Sequence, residues 1–331
     1  MNIKDSKILV IGGAGFIGSH LVEQLLEEDP TEIVVYDNFS RGTIDNLESA
    51  LQDQRVSIFN AGGDICQADI LKEAMQGKDA VFHLAALWLL QCHEFPRAAF
   101  DVNIRGTFNV VECCRDCGVK KLISSSSASV YGDAVEIPMA ENHPFNNRTF
   151  YGATKIAGEQ MCRAFYERYG LNYVGLRYMN VYGPRQDYRG AYVAVMMKIL
   201  DRIDQGLPPV VYGDGSQAYD FVFVRDVARA NILALKAGIS DAFFNVGTGE
   251  RTSIRELAEL LLRLTGSKLE VEYLPGGTTF VTNRVGSIEN SRKDLDFTAI
   301  TPLEDGMKEL ISWRTAHKAE VEKRRNAVEK A

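Results

Sequence analysis

Hydrophobic positions along the chain fall into short, nearly unbroken runs separated by longer stretches with helical spacing. The runs KILVIGG, EIVVYDN, DAVFHLAA, KKLISSSS and NYVGLRY begin at Lys7, Glu32, Asp79, Lys120 and Asn172, and a weaker one, VSIFNAGGDI, begins at Val56. Between them, GFIGSHLVEQLLEED, LKEAMQGK, FDVNIRGTFNVVECCRDCG and ATKIAGEQMCRAFYERYG space their apolar residues three and four apart. Apolar strands alternating with helices imply a parallel sheet covered on both faces. The pattern predicts a doubly wound α/β fold for residues 1–178.

Beyond about Met179 the rhythm changes. Loops rich in Gly and Pro appear (YGPRQDYRG, QGLPPVVYGDGSQ), followed by a helix, SIRELAELLLRLTG, a strand, LEVEYLP, and a helix near Pro302–Trp313. We read residues 179–215 and 241–315 as a smaller substrate-binding lobe over the carboxyl edge of the sheet. Residues 216–240 return to the first domain, and 316–331 form a charged tail, read as a frayed helix. No internal repeat or low-complexity segment is evident.

Composition narrows the classes. Of 331 residues, 46% are hydrophobic and 24% charged, and the formal net charge is −7. An acidic balance argues against nonspecific nucleic-acid binding, so a phosphate-bearing ligand needs a local site. The first residues lead directly into a strand, without a signal peptide's apolar core. No apolar run approaches the roughly 20 residues that span a bilayer. A soluble, cytoplasmic protein is expected. The six cysteines are Cys66, Cys92, Cys113, Cys114, Cys117 and Cys162. The CCRDC cluster lies in an amphipathic helical pattern with no second Cys or His cluster, so these are read as packed thiols, and no metal site is assigned.

GGAGFIG places Gly12, Gly15 and Gly18 between a strand and a helix, with Phe16 and Ile17 opening that helix. Glycines here allow a tight turn and close approach of backbone N–H groups to a diphosphate at a helix N-terminus, the Rossmann arrangement for dinucleotides. Nineteen residues after Gly18, the second strand ends at Asp37. A carboxylate there accepts hydrogen bonds from ribose hydroxyls and repels a 2′-phosphate, which favours NAD over NADP. Asn38 follows as a turn residue, and Ser40 and Arg41 flank the same strand end; Arg41 is the one group there able to pair with a 2′-phosphate. Asp64 and Ile65 in GGDI, and Leu84, Ala85 and Ala86 after His83, end later strands. Asp64 can bond the adenine amino group, and the small residues admit the cofactor close to backbone. His83 is read as a packed histidine.

Two stretches carry the chemistry. In YGATK, Tyr151 and Lys155 are four apart and share a helix face. An ammonium beside a phenol lowers its pKa from about 10, and a nicotinamide cation adds to this. The phenol can then act as general base on a sugar hydroxyl. The serine run Ser124–Ser127 ends the neighbouring strand and offers a hydroxyl to the same oxygen.

With these motifs the chain resembles the extended short-chain dehydrogenase/reductase family, specifically its nucleotide-sugar epimerases and dehydratases, over roughly residues 6–314. The carrying segments include GGAGFIGSH, YDNFSRG, HLAA, VNIRGTFNV, SSSSASVYG, YGATK, RYMNVYGPRQ, YGDGSQ and NVGTG. The resemblance implies that Ser127, four residues before Tyr131, is the catalytic hydroxyl beside Tyr151 and Lys155. It sets Ser125 and Ser126 near the nicotinamide, Tyr178 among the cofactor-binding residues, Asn103 at a structural position by the cofactor, and Ser129 and Asn180 at the substrate. It implies a 4-keto intermediate and a homodimer in which helices around Phe100–Cys117 and Ala153–Tyr169 pair, with Phe108, Val111, Met161 and Phe165 on apolar faces. Dehydratases of the family carry an Asp-Glu pair where this chain has Ala128 and Ser129, which favours 4-epimerisation of a UDP-hexose. A dehydratase or other keto-intermediate epimerase is the alternative; a reductase and a noncatalytic sugar-nucleotide binder rank below it. Relatives often have an arginine on the nucleotide diphosphate where this chain has Tyr219, leaving Arg185 and Arg284 as candidate cations. Trp88 and Gln91 are candidates for shaping the sugar pocket.

Overall fold

The computed structural model describes residues 1–186, 194–276, 281–319 and 321–322. The expected loop YGPRQDYRG and the charged tail lie partly outside these residues.

The chain opens with β1 (Lys7–Ile11), α1 (Phe16–Leu26), β2 (Glu32–Tyr36), β3 (Val56–Ile58), α2 (Ala68–Met75) and β4 (Ala80–His83). Next come two short helices, α3 (Leu89–Glu94) and α4 (Pro96–Ala99), a π-helical stretch Phe100–Gly106, and α5 (Thr107–Asp116). Then β5 (Lys121–Ser127), α6 (Phe150–Tyr169) and β6 (Tyr173–Tyr178) complete the first half. These six strands and Ala242–Val246 form one seven-stranded sheet, ordered Ala242–Val246, β6, β5, β4, β1, β2, β3. Every pairing in it is parallel.

Successive residues of a strand point to opposite faces, and the core divides accordingly. Ile8, Val10, Ile33, Val35 and Phe82 pack with Leu21, Val22 and Leu25 of α1 and with Val227, Ala230 and Ala234 of the helix Val224–Lys236. Leu9, Ile11, Val34, Tyr36 and Val81 pack with Leu71 and Met75 of α2, Val110 and Cys114 of α5, and Cys162 of α6. The smaller lobe has its own core, built on Met196, Leu200, Leu257, Leu261, Met307 and Leu310.

Four expectations change. The strand Ala242–Val246, grouped above with the smaller lobe, is the edge strand of the main sheet, paired with β6. Its sequence, AFFNV, lies among glycines and polar residues, so periodicity alone did not attach it to the first domain. The third strand ends at Ile58 rather than near Ile65, because Gly62 and Gly63 turn the chain. A Cβ on Gly63 would stand 2.0 Å from the Asp37 carbonyl oxygen. The single helix expected over 100–118 starts with seven π-helical residues. That wide winding carries Asn103 inward, where its amide bonds the Leu87 backbone at N (2.7 Å) and O (2.9 Å) and Thr154 Oγ1 at 3.1 Å. Val111, expected on an outward face, is fully buried in the protein's own core.

Candidate active site

A cleft runs along the carboxyl edge of the sheet. At one end it is lined by Gly12, Gly15, Asp37, Asn38, Ser40, Arg41, Asp64, Ile65, Leu84, Ala85 and Ala86. Gly12 has φ +80° and faces Ala85, whose backbone nitrogen would lie 2.8 Å from an added Cβ. A Cβ on Gly18 would meet the Gly12 carbonyl oxygen at 2.2 Å. Neither position admits a side chain without moving the turn. Asp37 is pinned at the end of β2: its carboxylate accepts from Ala14 N at 2.9 Å and Phe39 N at 2.8 Å. Burial raises its pKa. Asp64 closes a local turn on Cys66 N (2.9 Å), and its carbonyl accepts from Tyr36 Oη (2.9 Å).

The cleft continues past Phe16, Ile17, Gly18, Trp88, Ser125, Tyr151, Lys155, Tyr178, Asn180 and Arg185. The serine run here divides its work. Ser124 is buried near the Cys162 thiol. Ser125 offers its carbonyl to Lys155 Nζ at 2.9 Å and its hydroxyl to Tyr178 Oη at 3.3 Å. Ser126 donates to Glu159 Oε1 at 2.5 Å. Ser127 Oγ meets Ser129 N (3.1 Å) and Ser129 Oγ (3.2 Å), and its side chain acts on the neighbouring Tyr151 phenol. The helix α6 presents Tyr151 and Lys155 from its first turns, held by Thr149, whose hydroxyl oxygen accepts from Gly152 N at 3.1 Å. Lys155 Nζ lies 5.8 Å from the Tyr151 ring centroid.

Burial dominates both titrations. It pushes Tyr151 up to about 12 and Lys155 down to about 8. The expected acidified phenol is therefore not a property of the chain alone. The Ser127 hydrogen bond and the Arg284 and Arg41 charges act in the acidifying direction but do not offset desolvation. A further positive charge in the site is needed to bring the phenol toward neutrality.

The remaining candidates separate. Arg41 stacks on Trp88, its guanidinium 4.7 Å from the ring. Arg185 is paired with Glu23 of α1 at 2.5 Å. Tyr219 donates to the Val281 carbonyl at 3.0 Å. Arg284 stands opposite it on the neighbouring strand and acts electrostatically on both Tyr219 and Tyr151. Among the described residues, Gln91 has a buried Oε1 without a partner. His83 is buried beside Thr107 Oγ1 (3.0 Å), and burial holds it neutral, down to about 3. Sequence reading missed the support beneath the site: Glu159 and Arg177 form a buried ion pair at 2.7 Å. The four-residue step from Lys155 to Glu159 was the available signal. It also missed Asn46, whose amide braces the glycine turn at Ala14 O (2.9 Å), and Asn231, which accepts from Tyr178 Oη (2.9 Å).

Residues 8–247 match the model of the NAD dependent epimerase/dehydratase family. The chain belongs to this family. It is 35% identical to a putative UDP-glucose 4-epimerase of Methanocaldococcus jannaschii, over 92% of this chain and 97% of the relative. It is 31% identical to a dTDP-glucose 4,6-dehydratase of an Actinoplanes species, over 95% of this chain and 99% of that one. Among solved structures, the UDP-N-acetylglucosamine 4-epimerase of Methanobrevibacter ruminantium superposes with a TM-score of 0.89 at 34% identity, covering 95% of this chain and 99% of that one.

The family's cofactor is NAD, and the residues present fit it. Gly12 and Gly18 admit no Cβ, and Gly12, Gly15 and the pinned Asp37 line one cleft; these residues would hold the diphosphate and a ribose. When bound, the oxidised nicotinamide supplies a hydride acceptor and the missing positive charge. Asp37→Ala is expected to weaken NAD binding by roughly 10- to 100-fold, the range of a hydrogen bond to a charged group. It should also narrow the preference over NADP. Titration of the cofactor-stripped protein with both dinucleotides checks this; equal wild-type affinities would contradict the role of Asp37.

Proposed function

We propose that this enzyme is a nucleotide-sugar 4-epimerase acting on a UDP-hexose through a transient 4-keto sugar. The observation that carries this reading is the makeup of the serine strand end. Ser127 ends β5 beside the Tyr151 phenol, and the next two residues, Ala128 and Ser129, are buried and carry no carboxylate. Tyr151 takes the proton from O4 while Ser127 hydrogen-bonds the same oxygen. Lys155, fixed by the Ser125 carbonyl, keeps a positive charge near the phenolate. A bound NAD would supply the acceptor for the C4 hydride and, once the 4-keto sugar has turned its other face, its return to C4; Tyr151 gives the proton back to O4 and C4 is inverted. A dehydratase would need an acid to expel water from C6, and neither Ala128 nor Ser129 can serve.

Incubation with UDP-, GDP-, dTDP- and CDP-sugars in heavy water tests this. The expected product has unchanged mass, inverted C4, no solvent deuterium and no net NADH. Water loss with deuterium incorporation would assign the dehydratase reaction instead.

Within this proposal the enzyme works in the cytoplasm as a homodimer. Among the described residues no helix is long and apolar enough to cross a membrane. An aromatic cluster on α5 and α6 supports the dimer. Phe108 is 39% and Tyr169 52% exposed, and both pack on Phe165 with ring centroids 5.8 and 5.1 Å away. Light scattering at micromolar concentration should give twice the mass of the 36.8 kDa chain; a monomer mass would remove this part of the proposal.

A further inference from the structure

Trp88 lies in the segment after β4, and Arg41 in the loop after β2. The two belong to different strand ends, yet their side chains meet: the Arg41 guanidinium is 4.7 Å from the Trp88 ring centroid. Each backbone is anchored close by. Next to Trp88, the Asn103 amide grips Leu87 at N (2.7 Å) and O (2.9 Å), and the Trp88 carbonyl accepts from Cys92 N at 3.0 Å. Next to Arg41, Gly42 lies so near the glycine turn that a Cβ would stand 2.7 Å from the Ala14 carbonyl carbon. Thr43 N and the Asn46 amide both donate to the Ala14 carbonyl oxygen, at 3.3 and 2.9 Å. The stack therefore joins two fixed points.

Those points meet at a junction of the cleft. The end lined by Asp37 and the end lined by Tyr151 have Gly12, Gly15, Arg41, Leu84 and Ala86 in common. A dinucleotide reaching from Asp37 to Ser125 has to pass here. The Arg41 charge also acts on the Tyr151 phenol, so this guanidinium stands toward the reacting end. Arg41, a candidate partner for a 2′-phosphate by sequence, is turned to Trp88 instead.

In the proposed epimerisation the hydride leaves C4 and must come back from the same dinucleotide. A protein that lets the reduced cofactor go between the two steps is left with a keto sugar it cannot finish. Resting on that reading, we infer that the Arg41–Trp88 stack is a strap across the dinucleotide cleft, which keeps the cofactor in place from one half-reaction to the next by limiting how fast it leaves. The residue types suit a strap. Tryptophan presents the strongest aromatic face to a cation, and arginine keeps its charge at any working pH.

The test measures cofactor exchange with no sugar present. Protein loaded with NADH is mixed with excess NAD⁺, and release is followed by the emission of bound NADH. Association is measured by mixing NADH with cofactor-stripped protein. Arg41→Met and Trp88→Leu should each speed release roughly 3- to 30-fold, the range of a cation–π contact. The stack joins two protein side chains and not the cofactor, so association should speed up along with release and Kd should change little. The double variant should be no faster than either single one, because the same contact is lost in all three. Trp88→Phe, which keeps a ring face, should lie between wild type and Trp88→Leu. Arg41→Met keeps the side-chain stem and carries the test if the Trp88→Leu protein does not fold. Unchanged release would overturn the inference. Faster release with unchanged association would also overturn it, by marking both residues as direct cofactor contacts, and so would additive effects in the double variant. If exchange behaves as described but no UDP-hexose is epimerised, the proposed reaction fails and the strap stands. If the wild type epimerises a UDP-hexose and the variants exchange cofactor at its rate, the reaction stands and the strap fails.

Discussion

Tyr151→Phe is expected to lower kcat by about 10³-fold or more, with NAD content and melting temperature near those of the wild type. The substitution removes one oxygen and leaves the ring that α6 buries. General-base catalysis contributes about 10²- to 10⁴-fold, and the phenol is the base in the proposed reaction. Ser127→Ala should cost less, roughly 10- to 1,000-fold, because it removes a hydrogen-bond partner and leaves the base. Single-turnover reduction of bound NAD by a UDP-hexose measures both. A Tyr151→Phe enzyme within tenfold of wild type would remove Tyr151 from the mechanism.

Glu159→Ala is expected to be the most damaging change away from the reacting atoms. Its carboxylate takes Arg177 Nε at 2.8 Å and Nη2 at 2.7 Å, and the two side chains are 2% and 5% exposed. Arg177 Nη1 continues to Tyr131 Oη at 2.9 Å, which donates to Asn245 Oδ1 at 2.6 Å. Removing the carboxylate leaves a buried guanidinium without its counter-charge, a cost of about 3–5 kcal/mol. Thermal denaturation should show a fall of about 4–7 °C. The double variant Glu159→Leu/Arg177→Met should recover much of it, because the unpaired charge carries most of the penalty. A single variant as stable as wild type would contradict this account. Ser126 also donates to Glu159, so the alanine variant loosens the strand that holds Ser125 and Ser127.

The parts of the site legible in the sequence are those with fixed spacing along one element. Gly12, Gly15 and Gly18 bracket a single turn, and Tyr151 and Lys155 occupy one helix face. The structure brings Asp37, Ala85, Ser125 and Tyr178 to the same cleft because they end neighbouring parallel strands. What stayed hidden depends on contacts across elements. Nothing in the order of residues shows that Glu23 would occupy Arg185, or that Arg284 would lie opposite Tyr219. How far burial opposes the acidity of the phenol stayed hidden for a related reason. A four-residue spacing shows that a lysine is near, but not how much water the fold removes. The fold class was readable from strand–helix alternation. The seventh strand was not, because its partner β6 precedes it by more than sixty residues and its own pattern is short.

That seventh strand means the polypeptide cannot be divided by a single cut. The chain leaves the sheet after Tyr178, builds part of the lobe, returns through Val224–Lys236 and Ala242–Val246, and leaves again. A fragment ending at residue 178 would keep every residue of the glycine turn and of the serine run. Yet it would present β6 as a bare edge with unpaired backbone groups, the kind of surface on which chains stack into aggregates. It would also strand Tyr178 without Asn231 and Tyr131 without Asn245. Half of the cofactor domain's boundary is thus written downstream of the lobe. During synthesis on the ribosome the sheet stays incomplete until Val246 has emerged.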